Sequence, residues 1–198
     1  MSDQPLDRIL VLARISILVA LRREPGLKAE LQNALQHGFD GAILRETILQ
    51  AYLFAGYAST INALIVFNEL APTGDFLQEP DGSWEEWTRR GTELCRKIYG
   101  SQYEKLVGNM KRLHPDLADW MITEGYGKVL SRPFLSPRVR ELLIVAMTAA
   151  LGVPRQFHSH VRGAIHVGAS QEEVGAVFAI AEPYMDTKSV SELRKLLR

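Results

Sequence analysis

The chain has 198 residues, with 23 basic and 23 acidic side chains and a formal net charge of zero. That length suits one domain or two small repeats around a sizeable core, and the neutral balance gives no long-range field that would favour nucleic acid. The single cysteine, Cys95, excludes an internal disulfide and any dithiol motif within one chain.

The start, Met1-Ser2-Asp3-Gln4-Pro5, has no basic flank ahead of an apolar run, so no secretory signal is expected and a cytoplasmic location is. Val, Ile and Thr rarely alternate with polar residues, which disfavours strands and predicts an all-α fold. Helices are expected near 5–23, 27–37, 41–56, 58–70, 84–99, 102–113, 115–130, 137–151, 155–167, 171–181 and 189–197. The stretch from Ile48 to Phe67 carries no charge and is long enough to span a bilayer. Its Gln50, Gly56, Ser59, Thr60 and Asn62 fit two buried helices meeting near Gly56-Tyr57 better, so no membrane partner is expected. The loop from Pro72 to Gly82 reads as a linker between an N-terminal part, 1–71, and a longer part, 83–198. Serine followed three residues later by glutamate, as at Ser83, Ser101, Ser170 and Ser189, fits a helix-starting capping box. Ser136-Pro137 is another start, and Gly38, Gly100 and Gly168 sit where helices should stop.

A shift of 130 residues sets Ala34 on Ala164, Gly38 on Gly168, Leu44 on Val174 and Ala51 on Ala181. The N-terminal part then reads as a degenerate repeat, although similar helical hairpins without common origin give the same few identities. On that register Glu141 falls on Val11 and His160 on Glu30, so chemistry is expected in the C-terminal copy alone.

Titratable groups concentrate between Tyr126 and Gly168, on two helices either side of Gly152-Val153-Pro154. His160 is the candidate proton carrier, because imidazole titrates near neutrality. Ala164 and Gly168 share its helical stripe and leave room for a partner helix or ligand. Glu141 is the candidate orienting acid. In a simple antiparallel hairpin it is offset from His160 by about 6 Å, so contact is expected to need a tilt, a bridging water or a neighbouring subunit. Arg132, Arg140 and Arg162 carry forks suited to substrate carboxylates. His158, His160 and His166 lack the i, i+4 spacing that chelates a metal from one helix, so no metal site is expected. Cys95, alone on its helix, reads as a packed thiol.

Arg90-Gly91 with Tyr99-Gly100, Tyr126-Gly127 with Ser131-Arg132-Pro133-x-Leu135, Arg140-Glu141-Leu142, and His160-x-Arg162-x-Ala164-x-x-x-Gly168 together resemble carboxymuconolactone decarboxylase-like proteins, related to alkyl hydroperoxidase D. The likeness runs from about Trp87 to Ile180. It implies an alkyl hydroperoxidase D-like helical bundle assembled as a ring, a homo-trimer or homo-hexamer. It also implies a small-molecule substrate and no metal or organic cofactor. Glu141 and His160 fall on the glutamate and histidine of the related hydroperoxidases, whose CxxC cysteines are replaced here by Val153 and Gln156. Thiol-based peroxide reduction by that route therefore has no nucleophile. Tyr126 through Pro133 looks most like the lactone decarboxylases and places Tyr126 beside the substrate. Where those continue into a Tyr-Ala-Gly-Val-Pro-like turn, this chain reads Ala181-Glu182-Pro183-Tyr184-Met185, and a similar phrase stands instead at Phe54-Ala55-Gly56-Tyr57-Ala58.

The expected function is thus a cofactor-independent decarboxylase or isomerase on a small carboxylated lactone or related organic acid, with His160 as proton donor or relay. The alternative is a non-catalytic oligomeric scaffold or small-molecule binding protein of the same fold. A peroxidase borrowing Cys95 would need that thiol exposed near His160.

Overall fold

The computed structural model describes residues 3–72 and 82–197, and the expected linker lies almost wholly outside them. Among the described residues every regular element is helical: α1 (Leu6–Ala20), α2 (Glu24–Gln36), α3 (Gly41–Gln50), α4 (Tyr52–Leu70), α5 (Trp84–Tyr99), α6 (Tyr103–Leu113), α7 (Pro115–Trp120), α8 (Pro137–Ala150), α9 (Pro154–His166), α10 (Gln171–Ala181) and α11 (Thr187–Arg194).

Side-chain caps explain where five of these eleven begin. Ser83, Ser136 and Ser170 each accept from the amide three residues on, and Ser170 with Glu173 closes a full capping box. Two expected starts differ. Ser101 lies in a 3₁₀ turn, Gly100–Gln102, ahead of α6. The last helix begins earlier because Asp186, not Ser189, caps it, accepting from the Ser189 amide at 2.9 Å. The expected helix 115–130 is real but changes winding. After Trp120 it continues as a π-helix, Met121–Leu130, a form that in proteins is rare and concentrated at functional sites.

α8 is the axis of the core. Every residue from Val139 to Ala149 is buried, with α1, α9 and α10 packed around it. α2, α3 and α4 gather on α1, and one continuous apolar cluster runs through both halves. α5 lies against the π-helical segment at very close approach: a Cβ at Gly91 would stand 2.0 Å from the Ile122 carbonyl, and one at Gly127 would stand 1.9 Å from the Trp87 carbonyl.

The sequence echo has a backbone counterpart. Adding 130 to the bounds of α2 gives those of α9. The turns match too: Arg22 and Gly152 both take positive φ, 56° and 66°. The closing bonds Phe39 N–H to Ala34 O, at 3.0 Å, and Ala169 N–H to Ala164 O, at 2.9 Å, are also equivalent.

The uncharged stretch divides as its composition suggests, at Gly56, whose φ of 79° and ψ of 166° only glycine adopts readily. α4 is nevertheless long and apolar enough to cross a membrane by length and composition alone. It is also less buried than expected. Tyr57, Ile61 and Ile65, one turn apart, are exposed.

α3 is fastened to α8 by buried charge. Arg140 donates to Glu46 Oε1 at 2.7 Å, to Gln50 Oε1 at 2.9 Å and to the Arg132 carbonyl at 3.0 Å. Arg132 Nε donates to both oxygens of Glu46, at 2.9 and 3.0 Å. Removing one partner of a buried ion pair leaves an uncompensated charge. Glu46→Ala is therefore expected to cost about 3–5 kcal/mol in urea unfolding. Lys28→Ala, which breaks an exposed pair with Glu69, should cost less than about 1 kcal/mol.

Candidate active site

The site is built where α8 and α9 face each other. His160 Nδ1 lies 2.8 Å from Glu141 Oε2, with the imidazole 7% and the glutamate 1% exposed. The contact is direct and within one chain, so of the three routes expected from the axial offset neither a bridging water nor a second subunit is used. Gly163 closes the gap. A Cβ there would sit 2.7 Å from Glu141 Oε2 and 2.8 Å from Ile98 Cγ2, so the carboxylate reaches the imidazole across bare backbone of α9.

A carboxylate accepts at that distance, so Nδ1 carries the proton and Nε2 is left for what lies in front of it. In front is an open cleft of about 780 Å³, onto which His160, Tyr52, Phe54, Tyr99, Trp120 and Tyr126 open. Phe54 meets the imidazole edge-on at 5.6 Å, so the phrase displaced into the N-terminal part does supply a wall. The π-helical segment brings Met121, Glu124 and Tyr126 to the same cleft.

The Tyr99 and Tyr126 phenols, which share this cleft with the imidazole, are neutral. Tyr126 donates to Tyr99 Oη at 2.8 Å, and Ser159 donates to the same oxygen at 3.4 Å. Burial, reinforced by the Glu141 charge, holds the Tyr99 hydroxyl well above its ordinary range; burial, then Tyr99 and Glu141, does the same to Tyr126. Both phenols are thereby held in the protonated form near neutral pH. Tyr99 accepts twice, so its own proton remains free to be donated into the cleft. Glu141 Oε1 is buried and without a hydrogen-bond partner among the described residues.

The arginines divide. Arg132 and Arg140 face away from the cleft and engage Glu46. Arg162 opens on a neighbouring pocket of about 190 Å³ with Lys105 and His158. The cation on the His160 cleft is Arg155, at the start of α9. Arg155 and Gly163 were not singled out in the sequence, and Tyr99 stood there only as part of the Tyr99-Gly100 piece of the family resemblance, with no role attached. His166 Nδ1 donates to the Ile98 carbonyl at 2.9 Å. Among the described residues no three His, Cys, Asp or Glu side chains gather to hold a metal. Cys95 is fully buried, and burial with the Glu141 charge pushes its thiol up to about 12, so it offers no exposed nucleophile beside His160.

Residues 115–198 match the carboxymuconolactone decarboxylase family. The chain is 30% identical over 141 residues to "Peroxisomal protein 2" of Schizosaccharomyces pombe, covering 70% of this chain and 66% of that protein. It is 25% identical over 170 residues to "Peroxisomal protein 2" of Saccharomyces cerevisiae, covering 71% and 59%. To the 4-carboxymuconolactone decarboxylase of Acinetobacter baylyi it is 24% identical over 91 residues, covering 46% and 68%. The chain thus spans about three fifths to two thirds of the length of its two yeast relatives.

Two outcomes check this geometry. Gly163→Ala should push the Glu141 carboxylate off the imidazole, seen as loss of the Nδ1–H tautomer signature in ¹⁵N spectra of His160, with about 1–3 kcal/mol of destabilisation. At pH 8, well below the thiol's value of about 12, Cys95 should resist a thiol reagent in the native protein and react at once in denaturant.

Proposed function

We propose, from a chain that belongs to the carboxymuconolactone decarboxylase-like family, that this protein is a lyase or isomerase moving a proton on a lactone or related organic acid, with no need of a metal or organic cofactor. The observation that carries the proposal is the Glu141–His160 pair, bonded at 2.8 Å and opening on a cleft. The name shared by the two yeast relatives speaks of a compartment and not of a reaction, so the chemistry is read from the site.

In a decarboxylation the carbon–carboxylate bond breaks, CO₂ leaves, and the electron pair passes into the unsaturated lactone as a dienolate. A proton on His160 Nε2 is then delivered to carbon. In an isomerisation the same nitrogen takes a proton from one carbon and returns it at another. Glu141 fixes the ring and offsets the positive charge of the imidazolium. The charge that develops on the substrate oxygen needs a donor that is itself neutral. Tyr99 is such a donor, since Tyr126 and Ser159 both donate to its oxygen and leave its proton for the substrate. Arg132 and Arg140, engaged with Glu46, have no part in this reading.

The test is turnover on a carboxylated lactone, with deuterium incorporation from solvent at the reacting carbon. His160→Gln should lower kcat by about 10² to 10⁴. Glu141→Gln should lower it less and alter the pH profile, and Tyr99→Phe should lower kcat with little change in KM. Full activity in His160→Gln would end the proposal.

A further inference from the structure

The His160 cleft is large, and most of its wall is aromatic or aliphatic. Tyr52, Phe54, Tyr57, Trp120 and Tyr126 line it, and Tyr52 and Tyr57 lie against each other with ring centres 5.1 Å apart. Its charges are few. Glu124 accepts from Tyr52 Oη at 2.8 Å, and Arg155 stands exposed at the rim. A ligand with several carboxylates would meet one cation and the Glu124 charge inside a mainly apolar wall, where a carboxylate left unpaired is costly.

The start of α9 supplies the rest of an anion handle. Pro154 opens the helix and Val153, at the cap position, has no side chain able to accept. The first-turn amides of Arg155 and Gln156 therefore lack an intrahelical partner, and they meet the positive end of the helix dipole where both side chains line the cleft. Behind them His160, nine-tenths buried, presents Nε2 to the same space.

We infer that this cleft takes an organic acid with a single carboxylate and an extended aryl or alkyl body, the carboxylate held by Arg155 at the start of α9 and the body laid along the aromatic wall. The inference rests on the proton-transfer reading of His160 and narrows it to isomerisation, because a single carboxylate kept as a handle leaves none to depart as CO₂. Arg155 and His160 are five residues apart, about 7.5 Å along the helix axis. The carboxylate at Arg155 is therefore a handle, separate from the atoms that exchange a proton with His160. One handle and a long apolar body also fit the wall better than a small polyacid does.

Binding tests this without turnover. Trp120 lines the cleft, so its fluorescence reports occupancy, and calorimetry gives Kd. The probes are phenylhexanoate, its neutral amide and the tricarboxylate tricarballylate, each titrated into the full chain. Phenylhexanoate should bind about tenfold or more tighter than the other two, a difference of about 1.4 kcal/mol. Arg155→Gln should erase the preference for acid over amide while leaving amide affinity unchanged. Trp120→Ser should weaken acid and amide together, read by calorimetry. Tighter binding of tricarballylate, or an acid preference that survives Arg155→Gln, would overturn the inference. So would a failure of all three probes to bind, including the case where sedimentation shows a second copy released by Trp120→Glu. Solvent-proton exchange in His160→Gln keeps the two readings apart. Exchange retained in that variant, with acid binding intact, would sink the proton-transfer proposal and leave the ligand class standing.

Discussion

Two adjacent charges on the most deeply buried helix dictate what their neighbours must provide. Arg140 and Glu141 lie on α8 at 1% exposure each, and neither can remain in a core without a partner. Successive residues on a helix point about 100° apart, so the two make opposite demands. Arg140 draws Glu46 and Gln50 from α3 and the Arg132 carbonyl from the loop before α8. Glu141 draws His160 from α9. The first set joins the N-terminal helices to the centre of the molecule, and the second makes the only pairing that opens on a cleft among the groups just named. An ion pair that fixes the fold and an ion pair suited to chemistry thus share one turn of helix.

Much of this was legible beforehand because it is local. Apolar periodicity located the helices, and Ser83, Ser136 and Ser170 announced their own starts through hydrogen bonds three residues long. Gly56 announced the break in the uncharged stretch. Glu141 and His160 were readable as candidates from the presence of titratable groups in apolar helices, supported by family likeness, and the structure brings them together. The partners of Arg140 were not readable. Glu46 and Gln50 lie 94 and 90 residues away, and although Gln50 falls in the uncharged stretch, nothing local to either names Arg140 as its partner. The same blindness assigned Arg132 and Arg140 to a substrate that neither faces. Arg155 escaped notice for the converse reason. An exposed arginine at a helix start is common, and only the cleft in front of it gives it meaning. The π-helical winding of Met121–Leu130 has no periodic signature that a ten-residue window can separate from an α-helix.

Only one of the two matching segments carries the pair. At the positions of Glu141 and His160 the N-terminal copy has Val11 and Glu30. Glu30 pairs instead with Arg14, at 2.8 Å and partly exposed to water, which is a surface arrangement of small energetic weight. Equivalent turns persist regardless, even to the positive φ of Arg22 where the other copy has Gly152. Helix bounds and turns correspond between the two segments, while the side chains at these two positions differ. The N-terminal half serves the other through contact: Phe54 against His160, Tyr52 against Glu124 and Glu46 against Arg140.

The remaining peculiarity is Glu141 Oε1, buried without a hydrogen-bond partner among the described residues. A group left so typically costs about 1–3 kcal/mol, and a residue kept only for packing would be replaced by glutamine or leucine at a gain. Its neighbours make the cost larger, since Cys95, Tyr99 and Tyr126 all stay neutral and none brings a compensating positive charge. The imidazole is thus the one ionic partner that the carboxylate is shown to have. That arrangement is poor for stability and good for a proton carrier. Glu141 holds the ring through Nδ1 and leaves Nε2 toward the cleft, which is the orientation that the proposed proton transfer needs. The unpartnered oxygen sits where the proposed reaction would use it, while the Arg140–Glu46 pair, about 100° around the same turn, ties α8 to α3.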